Sequence, residues 1–235
     1  KDYIKPDSNL SYADNFMHML DDSIEVTPLI SRIIDATLIL HAEHTINAST
    51  FTSMVTSSTL ASPTQVIASA IGSLSGPLHG GANQKVILML EEMGSKDNAR
   101  AWLEERLSRK QVVWGMGHRE YSTKDPRANI LTEMVKDLFK EQSGKVSDMF
   151  EKAMELEKAC EEKLAKKGVY ANVDFYSGIL YKEIGIPVDL FTPIFAISRT
   201  SGWLAHWIEQ VSNNKIFRPT QIYTGHDNRK YNSKG

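Results

Sequence analysis

Hydrophobic residues recur along most of this chain at the three- to four-residue spacing of amphipathic α-helices. The segment from Leu29 to Leu40 shows the pattern clearly, and Thr27-Pro28 before it supplies an N-cap and a proline at the first helical position. Similar start signals stand at 62–63, 125–126 and 192–193. The pattern predicts helices over residues 28–40, 63–74, 82–93, 99–107, 126–140, 146–167, 175–184 and 193–211. Only 111–114 and 188–191 favour short strands, so we predict an all-α fold.

The composition narrows the class of protein without choosing a reaction. The 235 residues carry 27 basic and 29 acidic side chains, and this balance gives no reason to expect a nucleic acid or membrane partner. Cys160 is the single cysteine of the sequence, which favours a reducing compartment. The polar start predicts no signal peptide, and no apolar run reaches the roughly 18 residues of a membrane span. We therefore expect a cytoplasmic protein.

Three glycine-rich loops interrupt the predicted helices, at residues 75–81, 112–122 and 168–173. In the first loop, His79 stands between glycines just before a helix start, where a ligand can approach the backbone and helix N–H groups favour a neutral imidazole. That placement suits a histidine that donates a hydrogen bond to a developing oxyanion. An exposed loop histidine is the alternative that the pattern leaves open.

The second loop leads from a glycine-rich stretch into a helix start. His118 follows this stretch directly, and Arg127 lies in the first turn of the helix that Asp125 is expected to cap. A guanidinium in a first turn suits a carboxylate or phosphate, because helix N–H groups already favour an anion there. An ordinary surface ion pair for Arg127 stays open.

Asp174 follows the third loop, beside two aromatic residues at a helix start. Either Asp174 or Asn172 merely caps that helix, or Asp174 is a carboxylate whose pKa is raised by desolvation. His41 and His44 stand three residues apart on a helix, a spacing that two metal ligands can share. No third ligand follows at a suitable spacing, so we expect no metal ion.

Taken in order, these segments resemble the citrate synthase family, most closely the carboxyl-terminal portion of bacterial-type enzymes. The resemblance covers nearly the whole chain, and the ordered set is far more specific than any single motif. The matching segments are LILHAEH at 38–44 with NAST at 47–50, GPLHGGAN at 76–83, GMGHR at 115–119 with DPR at 125–127, NVDFYSG at 172–178, FTPIFAISR at 191–199, and FRPT at 217–220 with YTG at 223–225.

The resemblance implies a condensation of acetyl-CoA with oxaloacetate, followed by hydrolysis of citryl-CoA to citrate and CoA. By the family pattern, Asp174 removes a methyl proton, His79 hydrogen-bonds the thioester oxygen, and His118 polarises the oxaloacetate carbonyl. The residues that match oxaloacetate anchors are His44, Arg127, Arg199 and Arg218. The residues expected to border CoA are Val113, Gly115, Met116, Gly117 and Lys124. Acetyl-CoA is then a substrate, and the resemblance implies no cofactor and no metal.

The family fold is a large helical domain with a smaller helical domain inserted into it. The resemblance places the small domain at residues 82–172 and part of the large domain at 1–81 and 173–235. Arg218 would reach into the neighbouring subunit's site, which implies a homodimer. Two departures matter: family members have a longer amino-terminal region, and they usually carry Lys or Arg where Ser122 stands. A cationic contact to a CoA phosphate is then either lost or made by Lys124 or Arg119.

Three alternatives stay open from the sequence. A 2-methylcitrate synthase would use the same machinery on propionyl-CoA, which differs from acetyl-CoA by one methylene, and a pocket separates such substrates by only about 1–3 kcal/mol. An inactive truncated fragment would keep the fold without the reaction. A generic all-α scaffold would make the histidines and Asp174 incidental.

Overall fold

The computed structural model describes residues 4–21, 23–142 and 144–231, and these residues form an all-α fold without an extended strand. The helices are α1 Tyr12–Leu20, α2 Pro28–Ala42, α3 Ala48–Ser57, α4 Pro63–Leu74, α5 Ala82–Met93, α6 Ala99–Ser108, α7 Pro126–Gln142, α8 Asp148–Leu164, α9 Val173–Glu183 and α10 Phe191–Ser212. Short 3₁₀ segments cover Lys96–Asn98, Ala165–Lys167 and Val188–Leu190. The last four residues of the polar tail lie outside the described residues.

Most helix starts follow the local signals in the sequence. The Thr27 hydroxyl accepts a hydrogen bond from the Ile30 N–H at 3.3 Å, which caps α2 as predicted. At α4, the side chain of Gln65 accepts from the Ser62 N–H at 3.0 Å, as in a capping box. The predicted cap at Thr192 is wrong. Its hydroxyl instead donates to the Gly80 carbonyl at 3.0 Å, and α10 begins at Phe191, two residues before the predicted start and directly after a 3₁₀ turn.

Both predicted strands are wrong. Residues 111–114 form a loop, and residues 188–191 form a 3₁₀ turn that runs into α10. Valines in these segments favour a pleated surface, but a strand also needs a neighbouring strand with which to pair. The nearest feature within the described residues is a single antiparallel bridge between Met116 and Ala171.

Two helices, α1 and α3, were not predicted. Helix α3 has the sequence ASTFTSMVTS, whose small and β-branched residues have modest helix propensity and no clear apolar stripe. Its start is fixed by the Asn47 side chain, which accepts from the Thr50 N–H at 3.2 Å. Helix α3 packs against α4 and α10, and four of its serine and threonine residues are buried. Tertiary contacts therefore outweigh the weak local preference.

Helix α9 lies at the centre of the larger hydrophobic cluster, because eight of its eleven residues are buried. It packs against α5 and α7. A side chain at Gly178 would put its Cβ 2.7 Å from the Asn83 carbonyl oxygen, so only glycine permits this approach of α9 to α5. Gly202 likewise lets α10 cross close to the Ala42 carbonyl at the end of α2. These two contacts bring α9 against the start of α5 and the middle of α10 against the end of α2. Within the described residues, no helix is long and apolar enough to cross a membrane.

Candidate active site

A cavity of about 400 Å³ lies where the end of α2, the loop before α5, the loop after α6, the start of α9 and α10 meet. Six of the side chains predicted to act on substrates line it together. They are His44, His79, His118, Arg127, Asp174 and Arg199. The loop residues Val113, Gly115, Met116 and Gly117 line the same cavity. Residues that are far apart in sequence therefore share one concave surface.

His79 is held by the turn between α4 and α5. The Gly80 N–H donates to the Leu74 carbonyl at 2.8 Å, and a Cβ at Gly80 would lie 2.6 Å from that same oxygen, so the turn requires glycine. On the ring, Nε2 lies 3.3 Å from the Ser49 backbone nitrogen and 2.8 Å from the Ser49 hydroxyl. A backbone N–H can only donate, so Nε2 is an acceptor and the neutral ring carries its proton on Nδ1.

The electrostatic surroundings keep His79 uncharged. Burial, and to a smaller extent the positive charge of Arg199, lower the pKa of His79 to about 4. The sequence predicted a neutral ring from the following helix N-terminus, whereas burial is the main cause in the structure. At neutral pH His79 is then a neutral ring with Nδ1–H as the donor that a ligand in the cavity can use.

Asp174 stands in the first turn of α9 but does not cap it. Asn172 is the cap, and its side-chain oxygen accepts from the Asp174 N–H at 3.0 Å. The Asp174 carboxylate therefore does not serve as the helix cap. Its Oδ1 is buried without a hydrogen-bond partner among the described residues. Burial raises the pKa of Asp174 to about 6, although Arg127 and Arg199 act in the opposite direction. A half-buried carboxylate with this pKa suits a general base.

Asn172 also ties the loop that bears His118 to the start of α9. Its N–H donates to the Gly115 carbonyl at 2.9 Å, and its side-chain Nδ2 donates to the Gly117 carbonyl at 2.8 Å. Gly115 has a φ of 75°, and a Cβ there would meet Val86 and Phe175 at under 3 Å. The sequence predicts only a capping role for Asn172, because nothing local in the sequence reveals its contacts to residues 115–117.

His118 and His44 meet edge to face, with ring centroids 4.9 Å apart. The His118 Nδ1 accepts from the Glu120 N–H at 3.0 Å, so the neutral ring carries its proton on Nε2. Burial lowers the pKa of both histidines, and the charge of Arg127 adds to the effect. Tyr121, which the sequence did not single out, lies against both rings.

Arg127 is oriented by a fully buried carboxylate. Asp125 accepts hydrogen bonds from Arg127 Nε at 3.1 Å and Nη2 at 2.8 Å, and its Oδ1 also accepts the Arg127 N–H at 2.9 Å. The predicted cap at Asp125 is thus confirmed. Burial works to raise the pKa of Asp125, but the hydrogen bonds and charge of Arg127 outweigh it and hold that pKa below its ordinary value. The same carboxylate accepts from the Val173 N–H at 3.3 Å at the start of α9.

Arg199 projects from the middle of α10 and is 2% exposed. Its Nε donates to the His41 carbonyl at 2.6 Å, and its Cζ lies 4.8 Å from the centre of the Phe195 ring. Burial lowers the pKa of Arg199 to about 10, so the group stays charged at neutral pH. Its Nη1 is buried with no hydrogen-bond partner among the described residues. Native proteins rarely leave a buried charged donor unpaired, which is typical of a position that a ligand completes.

Two predicted residues lie elsewhere. Lys124 forms an ion pair with Glu157 at 2.6 Å and lies 5.3 Å from the centre of the Tyr176 ring, away from the cavity lining. Arg218 is exposed on the segment that follows α10. Arg119 is exposed and does line the cavity. The pairing of Lys124 with a residue 33 positions away could not be read from the sequence.

His41 and His44, which stand three residues apart in the sequence, have different surroundings. His41 is buried, its Nδ1 lies 2.8 Å from the Thr37 carbonyl, and burial lowers its pKa to about 4. In the part of the chain that the structure describes, no group of three or more His, Cys, Asp or Glu side chains is arranged to hold a metal ion.

Comparison with known proteins gives one consistent relationship. The family model described as "Citrate synthase, C-terminal domain" matches residues 1–220. A citrate synthase of Acidithiobacillus ferridurans is 54% identical over 98% of this chain and 59% of its own length. A citrate synthase of Synechocystis is also 54% identical, over 98% of this chain and 57% of its own length. The chain thus spans a little under three fifths of these two relatives.

Solved structures agree in fold. The crystal structure of citrate synthase from Thermotoga maritima superimposes with a TM-score of 0.88 and 41% identity, covering 98% of this chain and 62% of that one. The structure of a citrate synthase from Thermoplasma acidophilum, in a ternary complex with carboxymethyl coenzyme A and oxaloacetate, has a TM-score of 0.89 at 34% identity, covering 96% of this chain and 60% of that one.

Proposed function

Because this chain belongs to the citrate synthase family, we propose that its cavity condenses acetyl-CoA with oxaloacetate and then hydrolyses citryl-CoA to citrate and CoA. One observation carries the proposal. A carboxylate of raised pKa, a neutral histidine with a free Nδ1–H, and two guanidiniums line the same cavity. This is the set of groups that enolisation of a thioester beside a dicarboxylate requires.

The first step is removal of a methyl proton from acetyl-CoA. Asp174 acts as the base, and its pKa of about 6 keeps it ionised at neutral pH while making it more basic than an exposed carboxylate. His79 donates its Nδ1–H to the thioester oxygen as negative charge develops there. A neutral donor that is fixed in advance stabilises that charge without having to reorganise.

The second substrate, oxaloacetate, carries two carboxylates and a ketone. Arg127 and Arg199 supply the positive charge for the carboxylates, and the unpaired Nη1 of Arg199 is a donor ready for one of them. His44 is the third side chain proposed to hold oxaloacetate. His118 presents Nε2–H, which suits a hydrogen bond to the ketone oxygen and then to the alkoxide that forms when the enolate attacks.

The CoA portion of acetyl-CoA would lie along the loop after α6. Val113, Gly115, Met116 and Gly117 form that wall of the cavity, and we propose that they border the adenine of CoA. Lys124 would reach a CoA phosphate only by leaving Glu157. Arg119, at the cavity wall, is the better placed cation for that contact.

We also propose a homodimer in which Arg218 completes the partner's site. Helices α3 and α4 pack on each other yet still expose apolar side chains, among them Phe51 at 52% and Ile71 at 43%. The ring of Phe51 stacks on that of Phe217, with 6.3 Å between the ring centroids, and Arg218 is the next residue along the chain. Burying such a surface favours association. A monomer at micromolar concentration in sedimentation velocity would contradict this part of the proposal.

The division into a small domain at 82–172 and parts of a large domain at 1–81 and 173–235 stays a proposal, as does the cytoplasmic location. The proposed site lies where these parts meet, so closure of one on the other would exclude water from the reacting groups.

Thiol release from acetyl-CoA in the presence of oxaloacetate tests the proposed function. We expect release that depends on both substrates and that is lost in His79→Ala and Asp174→Ala. A chain that is folded by circular dichroism but releases no thiol would overturn the proposal for this chain. Parallel assays with acetyl-CoA and propionyl-CoA would decide between citrate and 2-methylcitrate formation.

A further inference from the structure

Tyr121 joins two loops that carry predicted substrate-binding histidines. Its hydroxyl lies 2.9 Å from His44 Nε2, although the two residues are 77 positions apart in sequence. Its ring centroid lies 4.8 Å from that of His118 and 5.5 Å from that of His44. Tyr121 is half-buried and is not part of the cavity lining, whereas both histidines are. Any influence of Tyr121 on a ligand is therefore exerted through the histidines.

The direction of this hydrogen bond determines which nitrogen His44 offers to a ligand. A neutral imidazole has one donor and one acceptor nitrogen. The phenol hydroxyl is a stronger acid than the N–H of a neutral imidazole, so the phenol is the better donor of the two. Donation from Tyr121 makes Nε2 the acceptor and leaves the ring proton on Nδ1, which makes no hydrogen bond with the described residues.

We propose that Tyr121 is a positioning residue that holds His44 as its Nδ1–H tautomer and thereby presents Nδ1–H to a carboxylate of the substrate. This proposal rests on the proposed function for the identity of that substrate. Contact of the Tyr121 ring with His118 fixes the spacing of the two histidines, so one side chain orients the anchor of a carboxylate and the donor to the ketone.

The tautomer can be read without substrate. In ¹⁵N-histidine-labelled protein, the imidazole nitrogens of His44 should show a protonated Nδ1 and an unprotonated Nε2. Tyr121→Phe should shift His44 toward the Nε2–H form. Tyr170→Phe is the matched control, because Tyr170 is also half-buried and its hydroxyl makes no hydrogen bond with the described residues. An Nε2–H ring in the unmodified chain, or identical spectra for the unmodified chain and Tyr121→Phe, would overturn the proposal.

Oxaloacetate binding supplies the second measurement. Tyr121→Phe should weaken binding in calorimetry by roughly 2- to 12-fold, the range to which a net hydrogen-bond free energy of about 0.5–1.5 kcal/mol converts. In thiol-release assays, the KM for oxaloacetate should rise by a similar factor while kcat and the KM for acetyl-CoA change little. Tyr170→Phe should change neither. Equal affinity in Tyr121→Phe and the unmodified chain would reject the positioning role. If the unmodified chain bound no oxaloacetate, the proposed function would fail, while the imidazole spectra would still decide the tautomer.

Discussion

Two carboxylates beside the start of α9, Asp125 and Asp174, have opposite surroundings. Asp125 is fully buried, and both of its oxygens accept hydrogen bonds, from Arg127 and from the Val173 N–H. Asp174 follows Val173 directly, but its Oδ1 is buried with no partner among the described residues. Burial works to raise the pKa of both groups, and Arg127 works to lower it in both.

The pKa values of the two carboxylates differ because Arg127 donates hydrogen bonds to Asp125 but acts on Asp174 only through its charge. The pKa of Asp125 lies below its ordinary value, whereas that of Asp174 is raised to about 6. Asp125 is therefore a fixed anion that orients an arginine, and Asp174 is a base able to take a proton. Hydrogen bonding, more than proximity to positive charge, distinguishes the carboxylate that orients Arg127 from the carboxylate proposed as the general base.

The largest expected effect is on the reaction. Asp174→Asn keeps the shape of the side chain and removes the base, so thiol release should fall by about 10²- to 10⁴-fold, the usual contribution of general base catalysis. Unfolding by urea should show no loss of stability. Asp189→Asn is the control, since Asp189 is an exposed aspartate in a 3₁₀ turn. Equal activity in the two variants would show that Asp174 is not the general base.

The next effect is on stability. Asp125→Ala leaves the Arg127 guanidinium, whose side chain is 11% exposed, without its carboxylate partner. Breaking a buried pair from one side costs about 3–5 kcal/mol, and urea unfolding should show a loss in that range. Asp137→Ala removes an exposed partner of Lys140 on the same helix and should cost far less, because solvent screens an exposed ion pair. Similar losses in both variants would mean that the Asp125–Arg127 pair contributes no more than a surface pair.

The sequence predicted the all-α class and most helix starts because caps and hydrophobic periodicity are local. It missed α3, whose serines and threonines show no apolar stripe, and it predicted strands at 111–114 and 188–191 because valines there resemble strand residues. The resemblance to the citrate synthase family identified six side chains that line one cavity in the structure. The contrast between Asp125 and Asp174 could not be predicted, because it depends on which oxygen meets which N–H across the loops between helices. The pairing of Lys124 with Glu157 is non-local in the same way.

The pH dependence of stability should distinguish the two carboxylates. The folded-state pKa of Asp174 is raised from 3.8 to about 6, so folding favours its protonated form. Its contribution is fully present below about pH 4, declines as pH rises toward 6, and then stays constant. Because a shift of one pKa unit corresponds to about 1.4 kcal/mol, Asp174→Asn should gain roughly 2–3 kcal/mol relative to the unmodified chain between pH 4 and pH 7.

Asp125 should behave in the opposite way, because its folded-state pKa is lowered and its contribution is lost as pH falls through the acidic range. Urea unfolding of the unmodified chain, Asp174→Asn and Asp125→Ala at several pH values would measure both trends. A constant difference between Asp174→Asn and the unmodified chain from pH 4 to 7 would show that the Asp174 pKa is not raised. Thiol release should decline below about pH 6 as Asp174 gains its proton, whereas His79, with a pKa near 4, stays neutral over that range.

The smallest expected effect concerns Asn172, which caps the helix that bears Asp174 and also bonds the Gly117 carbonyl beside His118. Asn172→Ala should cost about 0.5–2 kcal/mol in urea unfolding through loss of the cap. Asn172→Ser keeps a capping oxygen but has no amide to donate, so it should retain most of the stability while loosening the loop at 115–118. We expect faster amide hydrogen exchange at Gly117 in both variants and a marked stability loss in Asn172→Ala alone. That result would show that the Asn172 side chain caps α9 and holds the loop through two separable hydrogen bonds. If Asn172→Ser exchanged at the unmodified rate, the Nδ2 hydrogen bond would not hold the loop, and the link between the base and His118 would have to run through the Asn172 backbone N–H and the Gly115 carbonyl instead.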